Sequence, residues 1–190
     1  AAGAIQMVGL EAAVAYTSLI PARSLALLTV VPGPDMAGYD WMTDLAADAR
    51  RLVVVEGVDN PSNIGSVIRN AAAFGWDGLI LDHTSADPLA RRSLRVAMGT
   101  VFALPHARTV NLAADLRLLV DFEHYAMTPA SDAAALDTIE PGPRVTMLIG
   151  SERAGLSAEL LELATPVRIP MATGVDSLNA AAATAVACYA

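Results

Sequence analysis

Short apolar runs alternate with helical segments from residue 51 onward, and this alternation constrains the fold more than any other feature of the chain. The run Arg51–Glu56 is rich in β-branched residues, which is typical of a strand buried on both faces of a parallel sheet. The other predicted strands are Gly78–Asp82, Val101–Leu104, His124–Met127, Val145–Ile149 and Val167–Ile169. The pattern predicts an α/β domain over residues 51–190, with a mainly parallel sheet and helices on both faces.

Helices are predicted between the strands from apolar periodicity and from residues that favour helix ends. One helix spans about Gly65–Phe74 and is stopped by Gly75, and the next begins with Asp87 as its cap and Pro88 in its first turn. The remaining predicted helices are Leu112–Val120 with Asn111 as its cap, and segments near Ser131–Leu136, Ser157–Leu163 and Ser177–Tyr189. Each helix connects two predicted strands or closes the chain, as an α/β domain requires.

The first 50 residues follow a different pattern. Gly9–Ser18 is a candidate helix and Ser24–Val31 a candidate strand, and the Pro and Gly residues of Val31–Asp35 then break any regular element. A linker is predicted near Tyr39–Arg50. We interpret residues 1–50 as a reduced or partly missing N-terminal domain and linker.

Composition narrows the class of protein. With 54% hydrophobic residues, the 190-residue chain can bury a core, which excludes intrinsic disorder. Its apolar runs are too short to cross a bilayer, and no signal peptide opens the chain. The single cysteine, Cys188, lies in an alanine-rich helical pattern, which predicts a buried, unreactive thiol and a cytoplasmic location. The net charge of −8 argues against general affinity for nucleic acid, so any phosphate contact must come from local groups of arginines.

Several common enzyme classes lack their signatures here. No glycine-rich dinucleotide loop follows the first predicted strand, and without lysine there is no phosphate-binding P-loop. There is no Gly-x-Ser-x-Gly sequence for a hydrolase nucleophile. The spacing of His83, His106 and His124 does not suit metal binding, so we predict no metal site.

Polar residues cluster instead in loops at predicted strand ends, where open α/β sheets place their sites. The segment 59–71 carries Asn63 in the loop after the first strand and Arg69 on the following helix. Two further loops cover residues 149–156 and 169–180. Taken singly, each loop also has a structural explanation: Asn63 as a turn former, Glu152 as a surface charge, or Ser177 as a helix cap.

Taken together and in this order, the three loops resemble the SpoU family of RNA ribose 2′-O-methyltransferases, within the SPOUT superfamily. Residues 63–69 resemble the family's Asn-x-Gly…Arg motif, residues 150–156 its Gly-Ser-Glu-x-x-Gly-Leu, and residues 169–179 its Ile-Pro-Met…Ser-Leu-Asn. The stretch Arg95–Pro105 resembles the segment between the first two motifs. The chain departs from the family at Ala180 and Ala181, where Val-Ser is usual.

The resemblance implies a fold, a cofactor and partners. It implies a C-terminal deep trefoil knot, a homodimer that completes the site, and S-adenosylmethionine bound within the knot. The implied reaction is methyl transfer to a ribose 2′-hydroxyl of structured RNA, either rRNA or tRNA. Residues 1–50 would then be what this chain retains of a substrate-binding domain. The implied catalytic residues are Asn63, Arg69, Glu152, Ser177 and Asn179, and the implied cofactor-binding residues are Thr128, Gly150, Ile169, Met171 and Leu178.

Two alternatives to a housekeeping enzyme stay open at this point. One is a catalytically silent, knotted RNA-binding or assembly factor, and the other is an rRNA methyltransferase that confers antibiotic resistance. The presence of all five implied catalytic residues favours an enzyme over a silent protein.

Other residues also allow two interpretations. Arg91, Arg92 and Arg95 form either a local basic patch for RNA or a solvated helix face. Trp41 and Trp76 are expected in packing contacts rather than in stacking on bases.

Overall fold

A seven-stranded parallel sheet organises the part of the chain that the computed structural model describes, residues 41–175 and 177–190. The segments 9–18 and 24–31, predicted above as a helix and a strand, lie outside the described residues. The strands are β1 (Arg51–Glu56), β2 (Gly78–Asp82), β3 (His106–Thr109), β4 (Glu123–Met127), β5 (Ala134–Ala135), β6 (Val145–Gly150) and β7 (Thr165–Arg168). Their order across the sheet is β3-β2-β1-β6-β4-β7-β5, and neighbouring strands pair in parallel. The predicted α/β class with a parallel sheet is confirmed.

Six α-helices accompany the described strands. They are α1 (Trp41–Asp48), α2 (Pro61–Ala73), α3 (Arg91–Ala97), α4 (Leu112–Leu118), α5 (Ala158–Leu163) and α6 (Ala180–Tyr189). The α2 helix ends before Gly75, whose φ is +69°, and Asn111 caps α4 by accepting a hydrogen bond from Ala114 N at 3.1 Å. Both of these helix-end predictions are confirmed.

The central strand β1 divides the core into two layers. Val53 and Val55 pack on one face of the sheet with residues of α2, α3 and α6, which we name the α2 face. Leu52 and Val54 point to the opposite face, where α1, α4 and α5 pack, which we name the α4 face. These four side chains are fully buried, as the β-branched run predicts. Helices therefore cover both faces of the sheet.

The predicted strand Val101–Leu104 is wrong. The chain takes left-handed conformations at Met98 and Gly99 and then forms a 3-10 helix at Thr100–Phe102, and β3 begins only at His106. Val101 and Leu104 are buried in the core of the α2 face. Their apolar character therefore reflects packing rather than strand pairing, and hydrophobicity alone does not separate these two cases.

One prediction about an alanine-rich segment is also wrong. The segment near Ser131–Leu136 is not a helix, because Ala134–Ala135 pair with β7 and a 3-10 helix follows at Leu136–Thr138. Pairing with a neighbouring strand overrides the helix propensity of alanine here. The segment predicted as a linker, near Tyr39–Arg50, includes α1, and the carbonyls of Ala46 in this helix and of Ala49 just after it accept hydrogen bonds from Arg144.

Three helix starts differ from prediction. Asn60 caps α2 and Pro61 is its first residue, so Asn63 lies in the first turn of the helix and not in a loop. Asp87 accepts hydrogen bonds within the turn that precedes α3 and does not cap the helix, which starts after Ala90. The last helix starts at Ala180 with Asn179 as its cap, so Ser177 precedes it.

The expectations for Trp76 and Cys188 hold, while the side chain of Trp41 lies outside what the structure describes. Trp76 is 6% exposed, and its indole nitrogen donates to the carbonyl of Cys188 at 3.0 Å, so it is a packing residue. Burial raises the pKa of the Cys188 thiol to about 12, which keeps it protonated and unreactive at neutral pH.

Candidate active site

The site lies where the strand order reverses. The chain leaves β1 toward β2 and β3 on one side, while β6 and β4 lie on the other side, so the loops after β1 and β6 diverge from adjacent strands. Open α/β sheets bind ligands in the crevice that such a divergence creates at the carboxyl ends of the strands. The α2 N-terminus follows β1, and the loop of residues 150–156 follows β6.

A carboxylate joins three segments at this crevice. Oε1 of Glu152 accepts a hydrogen bond from Nδ2 of Asn63 at 2.9 Å and a second one from Nδ2 of Asn179. The Asn179 amide also donates to Oδ1 of Asn63 at 3.1 Å. We name Asn63, Glu152 and Asn179 the polar cluster. It ties together the start of α2, the loop after β6 and the cap of α6, so predicted site residues up to 116 positions apart meet at one point.

The loop after β6 folds tightly against itself. A side chain at Gly150 would collide with the backbone of Gly155 and Leu156, so only glycine allows this close approach. The loop is held at its far end by Glu56, the last residue of β1, whose Oε2 accepts a hydrogen bond from Ser157 N at 2.6 Å. The backbone of Gly150 is therefore packed directly against that of Gly155 and Leu156, and the loop after β6 stays compact at the edge of the crevice.

A cavity of about 330 Å³ opens next to the polar cluster, within the size range of small-molecule sites. Apolar side chains from the end of β4, from β6, and from the segment between β7 and α6 form much of its wall, and Glu152 and Arg153 supply charge. The predicted cofactor residues all line it: Thr128, Gly150, Ile169, Met171 and Leu178. Of the predicted catalytic residues, Glu152 and Ser177 line it as well.

Arg69 lies apart from this cavity. The α2 helix presents two stripes of residues, and Asn63 and Asn70 form the one next to α6, where Nδ2 of Asn70 donates to the carbonyl of Ala181 at 2.8 Å. Arg69 is exposed on the neighbouring stripe, one turn after Gly65, and it is not among the residues that line the cavity. In the described chain, no residue accepts a hydrogen bond from its guanidinium.

The comparisons with known proteins agree with this geometry. The model of the SpoU rRNA Methylase family matches residues 50–189, which include the sheet, the polar cluster and the whole cavity. The chain belongs to the SpoU family.

Relatives of the SpoU chain carry more specific names. An uncharacterized tRNA/rRNA methyltransferase of Mycobacterium bovis is 39% identical over 87% of this chain and 57% of its own length. The 23S rRNA (guanosine(2553)-2′-O)-methyltransferase RlmP of Bacillus subtilis is 31% identical over 75% of this chain and 58% of its own. A crystal structure of an AdoMet-bound rRNA methyltransferase from Sinorhizobium meliloti matches with a TM-score of 0.69 and 32% identity, over 76% of this chain and 58% of that one. The chain thus spans less than two thirds of the length of these relatives.

Two residues at the site of the SpoU chain were not identified from sequence. Arg153 lines the cavity beside Glu152, and Glu56 anchors the loop that forms the cavity's floor. A signal for Glu56 was available, because a carboxylate at the end of a buried strand is placed at the crevice edge. Arg153 occupies a variable position of the second motif, so the motif itself gives it no role.

A second carboxylate stabilises the neighbouring loops. Burial of Asp82 raises its pKa, but hydrogen bonds from Ser85, Thr84 and the backbone of Gly57 outweigh burial and hold the pKa below its ordinary value. Gly57 N donates to Oδ1 at 3.0 Å, which fixes the start of the β1–α2 loop. Asp82 therefore supports the site without lining its cavity.

No helix in the described ranges has both the length and the apolar composition that a membrane span needs.

Proposed function

We propose that this chain transfers a methyl group from S-adenosylmethionine to a ribose 2′-hydroxyl of structured RNA, either rRNA or tRNA, in the cytoplasm. The observation that carries the proposal is the meeting of Asn63, Glu152 and Asn179 at the rim of a cavity lined by all the predicted cofactor residues. The names of the relatives support the reaction type: RlmP is a 2′-O-methyltransferase, and the Sinorhizobium structure is AdoMet-bound.

The cavity fits the chemistry of this cofactor. Ile149, Ile169 and Leu156 offer apolar surface for an adenine ring, and the bare backbone at Gly150 offers polar groups to its edges. The carboxylate of Glu152, which lines the cavity, would supply negative charge that suits a cationic cofactor. When bound, S-adenosylmethionine supplies an electrophilic methyl group. Thr128, Gly150, Ile169, Met171 and Leu178 would hold it.

The residues of the chain must then orient and activate a sugar hydroxyl, which is a poor nucleophile while it keeps its proton. We assign Asn63, Ser177 and Asn179 to positioning the ribose, and Glu152 to fixing the two asparagines through their amides. A guanidinium is a poor general base, so Arg69 is suited to hold an RNA phosphate and stabilise negative charge on the ribose oxygen rather than to take its proton. The proton then leaves to phosphate or water.

The proposal includes a homodimer. Arg69 does not line the cavity of its own chain, so a second copy is a natural way to complete the site. The α6 helix begins with a run of alanines, which permits close helix approach, and its Val186 and Tyr189 are 42% and 79% exposed. We place α6 at or beside the interface. Light scattering at micromolar protein should give twice the chain mass, and an active monomer would contradict this part.

The proposal also includes a deep trefoil knot formed by the C-terminal segment. It rests on the family resemblance and on the way residues 150–156 and 169–178, which are distant in sequence, enclose one cavity.

The proposal is tested by an in vitro methyl-transfer assay, in which the substrate is RNA isolated from cells that lack this gene. Purified protein and labelled cofactor should place label on ribose 2′-oxygens, and calorimetry should show cofactor binding without RNA. Arg69→Ala should lower turnover by about 10²–10³-fold with cofactor affinity unchanged, because it acts on charge that develops during the reaction. Arg117→Ala, which removes an exposed arginine on the α4 face, is the matched control. Binding of RNA without any transfer would replace the enzyme by a silent RNA-binding factor.

A further inference from the structure

Helices α2 and α3 carry positive charge without negative charge. Arg69 is in α2 and Arg91, Arg92 and Arg95 are in α3, and neither helix contains an acidic residue. These are four of the 12 basic residues in a chain whose net charge is −8. The two helices therefore present a locally positive surface on an acidic protein.

The two helices pack so closely that their arginines form one surface. A Cβ at Gly65 would lie 2.5 Å from the carbonyl oxygen of Ser93 and 2.9 Å from Cβ of Val96, so α3 lies directly on this stripe of α2. One turn before Gly65, Ser62 accepts a hydrogen bond from Nε of Arg92. Arg69 lies one turn after Gly65 on the same stripe. We name Arg69, Arg91, Arg92 and Arg95 the arginine seam.

The charges of the seam are not neutralised within the described chain. All four residues are exposed, and none of them forms an ion pair with a described carboxylate, unlike Arg117 and Arg144. Asp87, the acidic residue in the turn before α3, accepts a hydrogen bond from Leu89 N instead. Like charges that lie together and lack partners repel, so an anionic ligand would be bound favourably here. Guanidinium groups suit phosphate oxygens, which they can bind in pairs.

The seam leads directly to the polar cluster. Ser62, which contacts Arg92, immediately precedes Asn63, whose amide donates to Glu152. A phosphate chain that follows α3 toward Ser62 would therefore bring its next ribose to the polar cluster and the cavity mouth. We propose that the arginine seam binds the phosphodiester backbone next to the target ribose of the RNA. This inference rests on the proposed function and adds the surface that holds its substrate.

The test compares two double variants that remove the same charge. Arg91→Gln/Arg95→Gln alters the seam without touching Arg69 or the Arg92–Ser62 contact, and Arg50→Gln/Arg117→Gln is the control, on exposed arginines outside the seam. The probe is a fluorescently labelled RNA hairpin, titrated at several salt concentrations. The seam variant should bind about tenfold more weakly at physiological salt, and the slope of log affinity against log salt should fall by about 0.7–0.9 for each lost contact. The control should keep both values.

Further measurements separate failure of the seam from failure of the proposed function. Cofactor calorimetry should match wild type in both double variants, since neither pair lines the cavity. Thermal unfolding should match wild type in the seam variant and show at most the small loss of the exposed Arg117–Glu159 pair in the control. Unchanged RNA affinity and slope in the seam variant would overturn the seam, while wild-type methyl transfer would still uphold the reaction. A seam variant that loses dimer mass but keeps its RNA affinity would also overturn it, since the arginines would then serve a second copy. Weaker RNA binding in the seam variant, with no methyl transfer by wild type, would uphold the seam and reject the reaction.

Discussion

Both faces of the sheet are covered by buried apolar layers, but the helices on the two faces differ in their polar and charged contacts. On the α4 face, α1, α4 and α5 contribute a fully buried apolar layer, and the contact between α4 and α5 includes the exposed Arg117–Glu159 ion pair. On the α2 face, an equally buried layer is accompanied by half-buried polar contacts such as Asn70 to Ala181. The polar cluster and the arginine seam both involve α2.

This difference shows how one parallel sheet can separate stability from function. Helix packing on both faces holds the strands in place. The loops at the crevice between β1 and β6 therefore extend from rigid strands, which fixes their positions. Among the described helices, α2 alone starts at that crevice and contacts both α3 and α6. It therefore connects the arginine seam to the polar cluster beside the cavity, which the described helices of the α4 face do not do.

The largest expected effect is on stability, and it should be the same on both faces. Leu148→Ala on the α4 face and Leu81→Ala on the α2 face each remove a fully buried side chain, so each should lower the free energy of unfolding by about 2–5 kcal/mol. Leu118→Ala, at a position 65% exposed, should change it by less than about 0.5 kcal/mol. Denaturant unfolding measures all three. If only one of the two core variants lost a large part of its free energy of unfolding, the two layers would not contribute equally to stability.

The second largest effect should be a loss of methyl transfer, and it should appear only when the polar cluster is altered. Glu152→Ala releases the amides of Asn63 and Asn179, so methyl transfer should fall by about 100-fold through misplacement of the site. Glu159→Ala removes a carboxylate of the α4 face and should leave turnover unchanged. Single-turnover rates on RNA check the pair. Equal losses in both variants would show that the polar cluster has no special role.

A smaller effect concerns pH. Hydrogen bonds hold the pKa of Asp82 below its ordinary value, so its charge stabilises the fold above about pH 4, and this stabilisation is lost as pH falls through the lowered pKa. Asp82→Asn should therefore lower the free energy of unfolding by roughly 1–3 kcal/mol at pH 7, with a difference that shrinks in acid. Unfolding curves between pH 3 and pH 7 measure this.

The matched variant for this pH effect is Asp121→Asn. Its carboxylate belongs to an exposed pair with Arg144 at 3.8 Å, so it should show little effect at any pH. A difference for Asp82→Asn that stays constant with pH would contradict the role of the charge.

The smallest effects compare one polar contact between helices on each face. Asn70→Ala breaks a half-buried hydrogen bond between α2 and α6 and should cost about 1 kcal/mol. Arg117→Ala breaks an exposed ion pair between α4 and α5 and should cost less than that, with no remaining difference at high salt. Thermal unfolding at low and high salt distinguishes them. A salt-dependent loss for Asn70→Ala would be the contrary result.

Local patterns in the sequence were sufficient for the parallel sheet and for most of the site. The β-branched run of β1 needs burial on both sides, and Gly75 and Asn111 end or start helices through their own backbone and side-chain chemistry. The loops at strand ends were singled out because open α/β sheets place their sites there. The assignment of Gly150, Glu152 and Met171 to one site came from the resemblance of their motifs to the SpoU family, and in the structure all three line one cavity.

Other features were decided only by the tertiary structure, because they depend on contacts between residues distant in sequence. Val101 and Leu104 are as apolar as strand residues, but they pack beneath α2 within and just after a 3-10 helix. Ala134–Ala135 form a strand because β7 lies beside them. The polar cluster and the α2–α3 contact at Gly65 join segments that no local pattern connects. Sequence patterns report the preference of each segment, whereas the final conformation follows from the partner against which that segment is buried.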